Sequence, residues 1–552
     1  MINLPRGPSL SRFLISASAA LAISALAAPG GGTTPARYDP TRPLGDTSRY
    51  TQAYSTTNIA NPAGSAWLQI NSFYEGVAEW DEYDKQTQFP VFSSAVGGTE
   101  TAIAGTLTLR VMRGYGPTPD TYAAGNTWAD MTYKGQTEFT ISAADFPAIL
   151  TDKMFTQAAP LPKGMHKFLR VWVITSDGMI PLCNGIRGGV LEGCDATAAS
   201  NATSNYWNVT TWRNRGRVNA TGIVYGPCAS FSRGPAGRVS LASIGDSNLY
   251  GDAGTNQNSF VDGVRGPARR AFNQMPVGRR VVTTDISIPG ANPGCYVRNP
   301  DGTRGEDPAR FAGKIGCLKP YPEPTMTRIY NQHEINAGFG NLNTLYSDNM
   351  MEYFLKIRSL FPGIPIDAAT APTHLGGGSC TDGFETQAGI PNTPSFRPGG
   401  TFFEYHEALK AGKFAGIVDK IIDCAAAFNG SAGDPLNPDP YKSRAYSGGP
   451  VDTVAANSTD ANKITVSNPD VWEQGMSLMV DPAGLSKAGR PVGIVNAKSG
   501  NVLSLGGGNT TGAVAGMKIR GSYFAGDVLH FTKEGQDLFI PAILAYGTSL
   551  MA

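Results

Sequence analysis

"RVSLASIGDSNLYGDAG" occupies positions 238–254. A small apolar run, Leu241-Ala242-Ser243-Ile244, gives way to a polar Gly245-Asp246-Ser247 at the place where a buried strand turns into a helix. Glycine, aspartate and serine are ordinary turn formers. A serine on a sharp strand-to-helix turn is also one way to present a nucleophile. The tripeptide therefore acquires a meaning only from what surrounds it.

Downstream of Pro235, strand and helix patterns alternate. "RVSLASIGDS" reads as a strand, "NSFVDGVRGPARRAFNQMP" (258–276) as a helix interrupted by Pro267, and "RRVVTTDISIPG" (279–290) as a strand again. "PTMTRIYNQHEIN" (324–336) reads as another strand. "NTLYSDNMMEYFLKIRSLFP" (343–362) then places Tyr346, Met350, Tyr353, Ile357 and Leu360 on one helical face. "GIPIDAATAP" (363–372) reads as a short strand and "EYHEALKAGKFAGIVDKIIDCAAAF" (404–428) as further helix. Such alternation predicts an α/β domain with a largely parallel sheet.

The pattern stops near residue 445. Residues 450–520 show short β segments with Gly/Asn/Asp turns, and "DVLHFTKEGQDLFIPAILAYGTSL" (527–550) ends the chain with a loop and an apolar helix. The economical reading is a small β module, 448–520, inserted into an α/β domain formed by 236–447 and 521–552. Upstream, 65–235 is β-patterned: "TLTLRVMRG" (106–114) alternates, and "KFLRVWVITSDGMIPL" (167–182) reads as two strands around Asp177-Gly178. A β-sandwich-like accessory domain is expected there, preceded by a Gly/Pro/Thr/Ser-rich linker at 29–64. At the start, Arg6 and Arg12 precede the apolar run "FLISASAALAISALAA" (13–28), and Ala25-Leu26-Ala27 has the small-x-small form of a cleavage site. Residues 1–28 are thus expected to be a cleaved signal peptide, sending the chain to the periplasm, the cell surface or the exterior. No other segment is long and apolar enough to suggest a membrane span in the mature chain.

Composition agrees with this picture. The 552 residues carry 45 basic and 44 acidic side chains, a net charge of +1, so the one-sided basic footprint of a nucleic-acid binder is missing. With 67 glycines and only 16% charged residues, the chain favours turn-rich β domains with polar, uncharged surfaces. None of the seven cysteines forms a C-x-x-C pair. In an oxidising compartment local pairing would join Cys183 to Cys194, Cys295 to Cys317 and Cys380 to Cys424, leaving Cys228 over.

A nucleophilic Ser247 needs a base, and the chain has five histidines: His166, His333, His374, His406 and His530. His530 follows Asp527 by three residues, which puts both side chains on one side of a tight turn. The carboxylate then fixes the imidazole tautomer and stabilises the imidazolium formed when the serine proton is taken.

Together these blocks resemble the SGNH (GDSL-type) hydrolase superfamily: Gly245-Asp246-Ser247 after the first strand, and Asp527-x-x-His530 before the last helix. "IYNQHEINAG" (329–338) is similar to the Gln-Gly-Glu-x-Asp block of the carbohydrate-esterase branch that deacetylates sialic acid or plant polysaccharides, with His333 in place of the glycine. "SIPGANPG" (287–294) is similar to the glycine block between them. The resemblance covers about 240 residues and implies a flavodoxin-like three-layer fold. It further implies Ser247 as nucleophile, His530 as base and Asp527 as its orienter. The oxyanion donors would be the backbone N–H of Ser247, that of Gly290, and one side-chain amide, Gln332 or Asn336. A secreted serine esterase acting on O-acetyl or other short acyl groups of an acylated glycan follows, with no cofactor or metal. A lipid or polyester esterase of the same fold and a non-catalytic glycan-binding protein are the alternatives. His374 is a candidate for the pocket wall, and Asp246 is expected to pin the turn and take no part in the chemistry.

Overall fold

The structure is a computed structural model that describes residues 43–47, 54–60, 67–94, 100–103, 105–119, 123, 125–175, 179–183, 193–198, 225–250, 266–287, 293, 312–333, 345–374, 387–390, 392–444, 451–473, 476–480, 492–506, 510–523 and 531–552. Its centre is a five-stranded sheet. Across the sheet the strands run Val282–Asp285, Ser240–Gly245, Arg328–Gln332, Ile366–Ala369 and Lys420–Ile422, and every neighbouring pair is parallel. In chain order this is 2-1-3-4-5, the doubly wound arrangement whose switch point lies beside the first strand.

Both faces of the sheet are covered, which is why its strands read as near-continuous apolar runs. Ala242 and Ile244 pack on one face with Ile329, Ile366 and the helices Leu345–Leu360 and Thr401–Lys410. Leu241 and Tyr330 pack on the other, with Phe272 of the helix Pro267–Asn273 and Ile543 and Tyr546 of the helix Ile540–Leu550. On the long helix, Met350, Tyr353 and Ile357 are buried and Leu360 is partly so, as the 3.6-residue period predicts.

Two helical readings need correction. Pro267 begins its helix at the first turn, where its missing N–H is no loss, and does not interrupt it. The run 404–428 is not one helix: it ends at Lys410 and contains the fifth central strand, Lys420–Ile422, and a short helix, Cys424–Phe428.

Ahead of the central sheet, two antiparallel sheets share a core of Phe73, Phe89, Val111, Leu169 and Val171. Strands Leu44–Thr47 and Tyr54–Ala60 lie within the segment expected to be a linker. They pair with Ala229–Arg233 and Met179–Cys183 respectively, so distant partners supply the order that a polar local sequence does not announce. The expected strands around Asp177-Gly178 form, as His166–Thr175 and Met179–Cys183, but in different sheets.

Between 451 and 522 six strands close into a small barrel around Val454, Ile464, Val466, Trp472 and Leu478. Among the described residues none of its strands pairs with the central sheet. Its first and last strands, Val451–Ala456 and Lys518–Ser522, are neighbours, with Val451 opposite Arg520. Met479 of the barrel packs into the cluster that covers the second face of the central sheet. Among the described residues no helix is long and apolar enough to cross a membrane, and residues 1–28 lie outside them.

Of the expected cysteine pairs, Cys295 and Cys380 lie outside the described residues, as do the side chains of Cys183 and Cys194. Cys228, expected to be left over, has its Sγ 3.6 Å from that of Cys317.

Candidate active site

The first central strand ends at Gly245, and Ser247 begins the short helix Ser247–Tyr250. This is the carboxyl edge beside the switch point, where open α/β sheets place ligands. Gly245 is required by close approach: a Cβ there would sit 2.0 Å from the carbonyl oxygen of Gln332, its partner across the parallel ladder. Asp246 is fully buried and its Oδ1 accepts the Asn248 N–H at 3.0 Å, so it pins the turn, as the sequence suggests. Ser247 is only 4% exposed, so the nucleophile candidate lies below the surface.

The ladder Gly245–Gln332 brings the third strand's end beside this turn. Gln332 is fully buried. Its Oε1 accepts the Tyr330 hydroxyl at 2.6 Å, and its Nε2 has no partner among the described residues. On the opposite face, Asn331 Oδ1 lies 2.9 Å from His333 Nδ1, and Asn331 Nδ2 likewise lacks a partner. Asn248 Nδ2 after the first strand and Thr373 Oγ1 after the fourth are in the same condition. Buried polar groups are rarely left unpaired, each omission costing about 1–3 kcal/mol. Asn248, Asn331, Gln332 and Thr373 all stand at or just after the carboxyl ends of neighbouring central strands. Asn331 and Thr373 were not singled out from the sequence, because nothing in the spacing of a strand end tells which amide or hydroxyl will be left unpaired.

Gly290, Asn336, Asp527 and His530 lie outside the described residues. The flanks of the last two are anchored. Thr532 donates its N–H to Tyr523 O at 2.9 Å and its hydroxyl to Ser522 O at 3.0 Å, joining the two sides of residues 524–530. Phe531 beyond that neck is buried against Phe428 and Phe539.

The structure describes the other four histidines. His406 is buried, its Nε2 accepts the Ala371 N–H at 2.9 Å, and burial drives its pKa down to about 3. Burial does the same to His333, to about 3, with its ring edge-on to Tyr353. A general base works best with a pKa near the operating pH, which neither offers. His374 is buried edge-on against Phe396 and Phe402, with ring centroids 5.0 and 6.2 Å away. His166 lies on the strand His166–Thr175 ahead of the central sheet, 2.6 Å from the Tyr74 hydroxyl.

No family model and no curated protein matches this chain. Among solved structures, the chain is similar to an active-site mutant of a family two carbohydrate esterase from Clostridium thermocellum at 12% identity and a TM-score of 0.24, covering 70% of this chain and 84% of that one. A family two carbohydrate esterase from Cellvibrio japonicus is similar at 10% identity and a TM-score of 0.24, over 72% of this chain and 92% of that one. A member of the lipolytic G-D-S-L family from Veillonella parvula is similar at 10% identity and a TM-score of 0.21, over 37% and 90%.

Proposed function

We propose that this chain is a secreted serine ester hydrolase that removes acetyl or other short acyl groups from a carbohydrate. The observation that carries this reading is Ser247 on a strand-to-helix turn at the switch point of a 2-1-3-4-5 parallel sheet, beside a buried Gln332 whose Nε2 is unpaired. Acyl transfer uses such a pair because negative charge develops on the ester carbonyl oxygen as the nucleophile attacks.

In this reading Ser247 Oγ attacks the ester carbonyl while His530 takes its proton, and Asp527 holds the imidazole and stabilises its charged form. The oxyanion receives the backbone N–H groups of Ser247 and Gly290 and the Gln332 amide. Collapse breaks the bond from the carbonyl carbon to the sugar oxygen, which takes the proton from the His530 imidazolium and departs as the alcohol, leaving an acyl-enzyme. Water, activated by the same base, releases the acid and restores Ser247. His530 is favoured as base by Asp527 three residues before it and by the burial that lowers the pKa of His333 and His406, and Gln332 over Asn336 by its unpaired, buried amide nitrogen. Residues 1–28 act as the export signal. The 448–520 segment is read as an insertion into the hydrolase domain, in keeping with the adjacency of Val451 and Arg520.

The test is hydrolysis of aryl acetates, long-chain aryl esters and acetylated polysaccharides by the purified protein and by Ser247→Ala. The wild type is expected to release acetate, and the variant to lose activity by at least about 10³-fold. Because the Ser247 hydroxyl is buried, its loss should cost stability on the scale of one hydrogen bond, about 1 kcal/mol. Activity should fall below about pH 6 as the base protonates. A variant that keeps most of its activity overturns the assignment of Ser247; preference for long acyl chains overturns the substrate class.

A further inference from the structure

We infer that Tyr330 is a positioning residue that fixes the Gln332 side chain with its amide nitrogen, and not its oxygen, available at the site. This deepens the proposed esterase reading and rests on it. A glutamine side chain presents an acceptor and a two-proton donor on nearly identical arms, so rotation by half a turn converts a donor for an oxyanion into an acceptor that repels it. A neighbouring hydroxyl that donates selects one orientation, and a phenol, which can also accept, selects it here by donating. Tyr330 sits two residues before Gln332 on the same strand and therefore on the same face, and its hydroxyl donates to Gln332 Oε1 at 2.6 Å. With Oε1 engaged, Nε2 is the arm left over, and it is buried with no partner among the described residues.

The tyrosine is itself held from below. Its ring lies 6.0 Å from that of Tyr546 on the C-terminal helix Ile540–Leu550. Tyr546 donates its hydroxyl to Asp367 on the neighbouring strand, and burial beside that carboxylate pushes the Tyr546 pKa far up, keeping it a donor. Arg328 clamps the same carboxylate through both oxygens, at 2.5 and 2.6 Å. Arg328, Tyr330 and Gln332 thus project from alternate positions of one strand, so the partly buried ion pair at its base and the buried amide at its carboxyl end belong to one row. The C-terminal helix supports this row, and the same stretch of chain leads back to Asp527 and His530.

The experiment compares wild type, Tyr330→Phe, Gln332→Ala and the double variant on an aryl acetate. Phenylalanine keeps the packed ring and removes only the donor. Tyr330→Phe is expected to lower kcat about ten-fold with KM and the pH profile unchanged, the scale of one hydrogen bond. Gln332→Ala should lower kcat about 10²–10³-fold. The double variant should be no slower than Gln332→Ala alone, because the hydroxyl acts only through the amide. An unchanged kcat in Tyr330→Phe, or a tyrosine effect that persists in full without Gln332, overturns the inference. If the wild type hydrolyses no ester, the esterase reading fails on its own account. A crystal structure of Tyr330→Phe that distinguishes amide nitrogen from oxygen then decides the positioning claim: a rotated or divided amide supports it, and an unchanged one overturns it.

Discussion

Gly245 is where the site and the fold make demands on the same atom. A turn could be built from many residues, but here the Gln332 carbonyl approaches the Cα so closely that an added methyl would lie 2.0 Å from it and 2.7 Å from Leu249 Cδ2. Gly245→Ala must therefore push the first and third strands apart. The expected cost is about 1–3 kcal/mol in urea unfolding, with a loss of activity because the displaced residue carries the amide beside Ser247. Gly237→Ala, by contrast, has open space around its Cβ and a φ of 80°, so its cost is local backbone strain of about 1 kcal/mol with activity kept. Equal stability of wild type and Gly245→Ala would show that the strands can yield. The sequence made Gly245 legible as a turn former and Ser247 as a nucleophile candidate. It was silent on Asn331 and Thr373, because an unpaired buried atom is a property of neighbours that no local pattern encodes.

At the scale of elements, the helices that follow a 3.6-residue period were legible and those that stop without losing apolar character were not. The helix Thr401–Lys410 ends because Gly412 takes a φ of 77°, with Lys413 N–H bonded to Ala408 O and Gly412 N–H to Leu409 O. This is a Schellman closure at a glycine in the left-handed region. The same glycine was visible in the sequence, but the apolar run beyond it concealed both the stop and the fifth strand. This helix also carries His406, whose ring faces Lys410 of its own element, Asp423 beyond the fifth strand and the Ala371 N–H. Its folded pKa, about 3, lies below its unfolded value near 6.5, so the folded state refuses a proton that the unfolded state accepts. Stability from this source is complete above about pH 6.5 and is lost as pH falls towards about 3, at about 1.4 kcal/mol per pH unit. His406→Gln should make urea stability less steep in pH by that amount between about pH 6 and pH 4, leaving the share due to His333 in place. An unaltered slope would mean that His406 becomes charged in the folded protein.

For the whole molecule, the upstream antiparallel sheets are joined to the central parallel sheet by shared core and shared hydrogen bonds. Cys317, on the helix Ala312–Leu318, belongs to the core that includes Phe73 and Phe89, and a Cβ at Gly316 would meet Pro147 Cγ at 2.5 Å. Glu79 accepts the Gly278 N–H at 2.7 Å and pairs with Arg280. Ser240 of the first central strand donates its hydroxyl to Gly45 O at 2.8 Å, while Gly45 N–H donates to Thr325 O at 2.8 Å. Gly45 fits there only because it has no side chain, since a Cβ would lie 2.3 Å from Thr284 Oγ1 of the second central strand. An accessory unit on a flexible tether would have none of these contacts, and removing it would leave the central sheet intact. Here removal strips the cover from Cys317 and leaves the Gly278 and Thr325 groups without their partners. A chain beginning at residue 236 is therefore expected to be recovered largely insoluble, or to melt well below the full protein. In calorimetry of the full protein the upstream sheets and the central sheet should unfold in a single transition that also ends any ester hydrolysis. Two resolved transitions, with any ester hydrolysis surviving the first, would show that the central sheet stands alone and that the contacts joining it to the upstream sheets contribute little.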